Sequence, residues 1–132
     1  MPYFYDKREV LYKEKILNLT LKTQNKLGEK LNSSACEDID SVDLLIHLSD
    51  SHNIEVKQSL KKAFAWILSN QNSDGGFVFR RNEPMWYGHE IMTAKKNESH
   101  FLASWFRTLS LVKLTKELDL DNGFIYTKIS GY

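Results

Sequence analysis

The chain has 132 residues, with 18 Lys and Arg against 17 Asp and Glu, and 42% of it is hydrophobic. This is the size of one small domain with enough apolar side chain to pack a core, which excludes disorder as a global description. A formal charge of +1 excludes a basic nucleic-acid-binding domain, and a lone Cys36 excludes an internal disulfide or a multi-thiolate zinc site.

With prolines only at Pro2 and Pro84 and no alternating β-branched runs, the pattern predicts an all-α fold in one domain spanning 1–132. The start, MPYFYDKREV, carries charges early and no apolar stretch behind them. Neither a signal peptide nor a transmembrane segment is expected, and a soluble cytoplasmic protein is. A first helix is expected over about 6–27, gathering Val10, Leu17 and Leu21 with Tyr12, Ile16, Leu19 and Leu27, and stopped by Gly28. After a loop at 31–37, Asp38 is placed to cap a second helix reaching about Ser51. Its Ile39, Val42, Leu44, Leu45, Ile46 and Leu48 surround most of its circumference, so it is expected to be buried. The third helix, about 55–70, has the cleanest stripe in Val56, Leu60, Ala63, Phe64 and Ile67. Asp74-Gly75-Gly76 then stops the chain, and an irregular loop is expected over 77–97. A last helix, about 98–118, shows Phe101, Trp105, Leu109 and Val112 on one side and Leu111, Leu114 and Leu118 on another, as if covered twice; 121–132 reads as a turn and extended tail.

Three stretches could carry chemistry. The first is Glu37-Asp38-Ile39-Asp40-Ser41-Val42-Asp43, in which Asp40, Asp43 and His47 share one sector of a helix that is otherwise apolar. Capping of free amides explains Asp38 and Asp40 structurally. The functional reading makes Asp40 a proton donor, with Asp38 and Asp43 supplying the like charge that raises its pKa against the helix dipole, and His47 relaying the proton or merely sitting in the core. The second stretch is Gln71-Asn72-Ser73-Asp74-Gly75-Gly76-Phe77. Here Gln71 would bond the terminal carbonyls of the third helix, the glycines reverse the chain, and Phe77 packs back on the hairpin.

Together, Asp38-Ile39-Asp40-Ser41 and Gln71 to Phe77 resemble the α/α-toroid superfamily of terpenoid cyclases and protein prenyltransferase β-subunits, with its Gln, Gly and aromatic repeat after a helix. The resemblance covers about residues 36 to 80. Phe79-Arg80-Arg81-Asn82-Glu83-Pro84 and the stretch ESHFLASWFRTL are similar to prenyltransferase-like proteins of bacterial polysaccharide clusters. It implies antiparallel helical hairpins forming part of a toroid. By position it also implies that Asp40 stands where class II cyclases keep the acid that protonates the substrate, although Ser41 replaces the last acidic residue and Phe77 stands where Trp is commoner. An isoprenoid or lipid-linked substrate in surface-polysaccharide or lipid biosynthesis follows as an expectation, with a non-catalytic interaction module as the alternative. Such a ring needs roughly a dozen helices and well over ~200 residues. Four helices do not close it, so either an N-terminal partner domain or a homo-oligomer is expected to cover the remaining apolar faces. Zinc, which prenyltransferases bind, would need Cys36, Asp38 and a histidine, but Cys36 precedes Asp38 where the family order is reversed, so no metal and no cofactor is assigned.

The third stretch is the loop itself. Arg80 and Arg81 could clamp a phosphate, or Trp86 and Tyr87 could stack on a sugar ring beside His89 and Glu90. Alternatively the loop is simply solvated, with Trp86 and Tyr87 pinning it to the body.

Overall fold

The computed structural model describes residues 9–25, 34–50 and 52–120. Among them are four α-helices, α1 (Lys13–Lys22), α2 (Ala35–Leu48), α3 (Ile54–Ser69) and α4 (Phe101–Glu117), and a small antiparallel hairpin of β1 (Met85–Trp86) and β2 (Thr93–Ala94) with a 3-10 turn (Glu90–Met92) between its strands. The fold is all-α. The expected Gly28 stop and the tail at 121–132 lie outside the described residues.

Each helix boundary follows from local chemistry. Within the described residues α1 is shorter than its apolar arc, opening after Tyr12 at a left-handed φ of 58° and closing at Thr23. At α2 the cap is Ser34, not Asp38. Ser34 and Glu37 form a reciprocal capping box: the Ser34 amide donates to Glu37 Oε2 at 2.7 Å, and the Ser34 hydroxyl accepts from the Cys36 amide at 3.3 Å. Ser34 stands four positions before Asp38, and its Ser-x-x-Glu spacing wins because it satisfies two orphan amides instead of one. For α3, Asn53 caps the first turn by accepting from the Val56 amide at 3.1 Å.

The core joins Leu17 of α1, Val42, Leu45 and Leu48 of α2, Val56, Leu60, Ala63 and Ile67 of α3, Phe77, and Ala103 and Leu114 of α4. The stripes read for α2 and α3 therefore do face inward. On α4 only one of the two expected sides is covered. Ala103, Arg107, Ser110 and Leu114 are buried, while Phe101 and Trp105 on the far side are 77% and 46% exposed. Tyr12 and Leu19 of the α1 arc are likewise exposed.

The closest partner of α2 is α4, and the two run in the same direction. Asp38 meets Arg107 and, five residues on, Asp43 meets Lys113, six residues on from Arg107. At 1.5 Å per residue these steps are about 7.5 Å and about 9 Å along the two axes, in the same sense. The segment after the glycine turn sets this register. Phe79 O accepts from the amide of Ala35, the first residue of α2, at 3.2 Å, and Phe77 O accepts from the amide of His100, the cap of α4, at 2.9 Å. Both helices thus start from one extended segment, side by side, and α3 is the return that allows it.

The glycine turn that delivers this segment is built from side chains. Gly75 takes a left-handed φ of 85°, and Gly76 lies so close to Ser99 that an added Cβ would sit 2.6 Å from the Ser99 Cβ. The Asn72 amide donates to Gly76 O at 2.8 Å. Gln71 bonds the helix end only through its backbone amide, which donates to Leu68 O at 3.0 Å; its side-chain amide instead donates to Gly75 O at 3.0 Å and braces the turn. The end of α3 is taken by Arg81, which donates to Ser69 O at 3.1 Å and to Asn72 Oδ1 at 2.9 Å.

Candidate functional site

Four acidic side chains at the start of α2 divide between two environments. Asp38 and Asp43 are buried and turn toward α4; Glu37 and Asp40 are exposed. Asp38 Oδ2 accepts from Arg107 Nε at 3.1 Å. Arg107, wholly buried, also donates to the carbonyls of Val78 and, at 3.3 Å, Phe79. One guanidinium so ties together α2, α4 and the segment that starts them both. Burial lowers its pKa, and the facing Asp38 carboxylate works the other way. Asp38 has a structural commitment here; the like charges that raise Asp40 are Asp43 and Glu37.

Asp43 lies five residues further along α2, about 140° round the helix from Asp38. Its Oδ1 accepts from the buried Lys113 Nζ and stands 3.5 Å from His47 Nδ1. His47 Nδ1 is closer to the Asp43 carbonyl, at 2.8 Å, which makes Nδ1 the protonated nitrogen of the ring. His47 is therefore half-buried on the flank of this ion pair rather than in the core. Asp40 is the open member of the sector. Partial desolvation by the surrounding chain and then the charge of Asp43 raise its carboxyl above the usual Asp range. The rise opposes the helix dipole, which favours the ionised form. Glu37 goes the other way: burial pushes it up, but the Ser34 hydroxyl and amide outweigh that and hold it low.

Asp40, Asp43 and His47 are thus brought into one constellation as their spacing suggested, with Lys113 as a fourth member. Sequence reasoning passed over Lys113 and Arg107. Their signal was there, as two isolated cations in the apolar run FLASWFRTLSLVKL, spaced to match the two aspartates of α2.

The loop closes on a neck of its own. Asn82 and Asn97, both at left-handed φ, pair with each other: the Asn82 amide donates to Asn97 Oδ1 at 2.6 Å and the Asn97 side-chain amide to Asn82 Oδ1 at 3.2 Å. Beyond the neck Met85 is the buried anchor. Trp86 and Tyr87 are 73% and 59% exposed and do not pin the loop. His89 caps the 3-10 turn, its Nδ1 accepting from the Ile91 amide at 3.1 Å, and Glu90 is exposed beside it. Arg80 lies 3.6 Å from Glu83, whereas Arg81 serves the end of α3, so the two guanidinia do not form a paired clamp.

The Cys36 thiol is pushed up by burial and by Glu37, which disfavours the thiolate that metal binding or nucleophilic attack requires. Among the described residues no three His, Cys, Asp or Glu side chains are grouped to hold a metal ion. A cleft of about 350 Å³ lies elsewhere, lined by His52, Ile54, Lys57, Gln58 and Lys61 at the start of α3. No described helix is long and apolar enough to cross a membrane. Compared with family models, with curated proteins and with solved structures, the chain matches none.

Proposed function

We propose that this chain is part of a terpenoid-cyclase- or prenyltransferase-like α/α toroid that binds or protonates an isoprenoid, with Asp40 as the proton donor. The parallel, side-by-side pairing of α2 and α4 carries this reading. In an up-and-down bundle neighbouring helices alternate in direction. A layered ring instead places every second helix beside the last in the same sense, with the intervening helices as a second layer. The Gln71-to-Phe77 turn supplies the mechanical part of that pattern, because it feeds both parallel helices from one segment. Asp40 stands on α2 away from the core, where a layer completed by further helices would have its hollow. Its raised pKa is the direction a general acid needs. In protonation of an alkene the Asp40 proton passes to carbon, the alkene π pair forms the new C–H bond, and carboxylate and carbocation remain as an ion pair. A polyprenyl substrate of surface-polysaccharide or lipid biosynthesis, used in the cytoplasm, suits such a site.

The test is incubation of the full chain with geranylgeranyl diphosphate and with a polyprenyl phosphate, following cyclised or transferred products by mass spectrometry. Turnover that falls about 10²- to 10⁴-fold in Asp40→Asn supports the proposal. Absence of both binding and turnover overturns it.

A second reading, a non-catalytic module that associates with another chain or another copy of itself, is favoured by α4. Phe101, Trp105, Thr108 and Val112 recur on the face opposite Ala103, Arg107, Ser110 and Leu114, and Phe101, Trp105 and Thr108 of them are exposed. That is the flank on which a next parallel helix of the layer would rest.

A further inference from the structure

The constellation on α2 contains two carboxylates, and a proton donor needs the proton on the right one. Asp40 and Asp43 are three residues apart on one helix, so their Cβ atoms lie about 5–6 Å apart. Two carboxyls that close compete for one proton, and their titration belongs to the pair unless something separates them. Lys113 is placed to separate them. It reaches from α4 to Asp43 Oδ1 with both side chains buried, and it is on the far side of Asp43 from solvent, while Asp40 is open. His47 stands against the same carboxylate, 3.5 Å from Oδ1. Beyond burial itself, the charged side chains that raise Asp40 are Asp43 and Glu37, both anionic.

We propose that Lys113 is a positioning residue that assigns the shared proton, holding the negative charge on Asp43 and thereby leaving the proton to Asp40. The inference deepens the reading of Asp40 as a donor and rests on it for its use, but the proton assignment is a property of the folded chain without any substrate. Lys113 acts through Asp43: a buried carboxylate without its cation takes up a proton, and the charge that favours protonation of Asp40 then disappears. The raised pKa of Asp40 is the behaviour this arrangement would produce.

The experiment is a titration of the full chain with ¹³C-labelled Asp side chains, read as carboxyl chemical shifts by NMR. In the unaltered chain Asp40 should give its own step, above the ordinary Asp range. In Lys113→Met the Asp40 and Asp43 signals should move together in a shared step, and Lys113→Arg should restore a separate Asp40 step. Asp43→Asn, which keeps Lys113 but removes the charge, should lower the Asp40 midpoint, and it provides the same information if Lys113→Met fails to fold. A merely structural role for Lys113 would lower the melting temperature and leave the Asp40 step where it was; that outcome, or an Asp40 midpoint indifferent to Asp43→Asn, overturns the proposal. Neither result depends on turnover, so a chain inactive toward isoprenoids with the titration as expected would remove the proposed function and keep the assignment.

Discussion

At the scale of single residues, the position of a carboxyl on its helix decides what it can do. Asp38 and Asp40 are two residues apart, and the helical step sends one under α4 and leaves the other at the surface. Asp38 is used up in the Arg107 network. Asp40 instead bears a cost when ionised, because its folded-state pKa lies above its unfolded one. The folded state then binds protons more tightly over the window between the ordinary Asp value of 3.8 and the raised value, so stability falls as pH rises through that window. Asp40→Asn should remove this decline and leave the chain slightly more stable at neutral pH, by no more than about 0.5 kcal/mol for so open a site. Urea denaturation at a series of pH values checks it, and a variant less stable than the parent at neutral pH would show that Asp40 stabilises the helix as an ordinary first-turn carboxylate. Asp74 has the opposite sign. The Ser99 hydroxyl and the Gly76 amide hold it below its ordinary value, so its contribution is present above that value and is lost as pH falls.

At the scale of elements, the decisive object is the contact between α2 and α4. Two buried ion pairs and the carbonyls of 77–79 fix both its direction and its register. A buried pair is weak evidence of net stability, since its desolvation offsets much of the attraction. It is strong evidence of specificity here, because a slip of either helix would leave a buried charge facing apolar side chains. Arg107→Leu should cost about 3–5 kcal/mol, since it takes the buried guanidinium from the Asp38 carboxylate and from the Val78 carbonyl at once, while Phe79 O keeps the Ala35 amide. Arg107→Lys should recover only part of this, because one ammonium does not reach acceptors on three segments in the planar arrangement of a guanidinium. The double change Arg107→Leu with Asp38→Leu should be milder than the single one. Chemical denaturation of the three variants decides the matter: equal losses in the single and double variants would mean that packing, not the stranded charge, is what is lost.

For the whole molecule, the question is what covers the helix faces that the described residues leave open. A domain of this size exposes some apolar side chains as a matter of course. Phe101 and Trp105 are different, being aromatic, one turn apart and aligned along the flank where the α2–α4 layer would continue. If that flank is an interface, Trp105→Glu should shift the chain toward monomer at micromolar concentration in light scattering while leaving its melting temperature within a few degrees of the parent. A parent that is already monomeric and unaffected by the change would count against covering by a second copy and leave a different chain as the partner to be sought.

The sequence alone determined the helical character, the stripes of α2 and α3, the glycine turn and the gathering of Asp40, Asp43 and His47, because each depends on the fixed helical step or on the local conformational freedom of glycine. It was less informative on ends and faces. Ser34 displaced Asp38 as the cap since two reciprocal hydrogen bonds outweigh one, and the loop that looked pinned by Trp86 and Tyr87 is closed by Asn82 and Asn97, whose left-handed backbone no apolar pattern reveals. Only the tertiary structure decided that α2 and α4 lie parallel and that Arg107 and Lys113 complete the acidic sector. Those contacts join residues about seventy positions apart, and a charge pairs with whatever the packed core brings beside it, a choice made by shape and desolvation over the entire fold rather than by spacing along the chain.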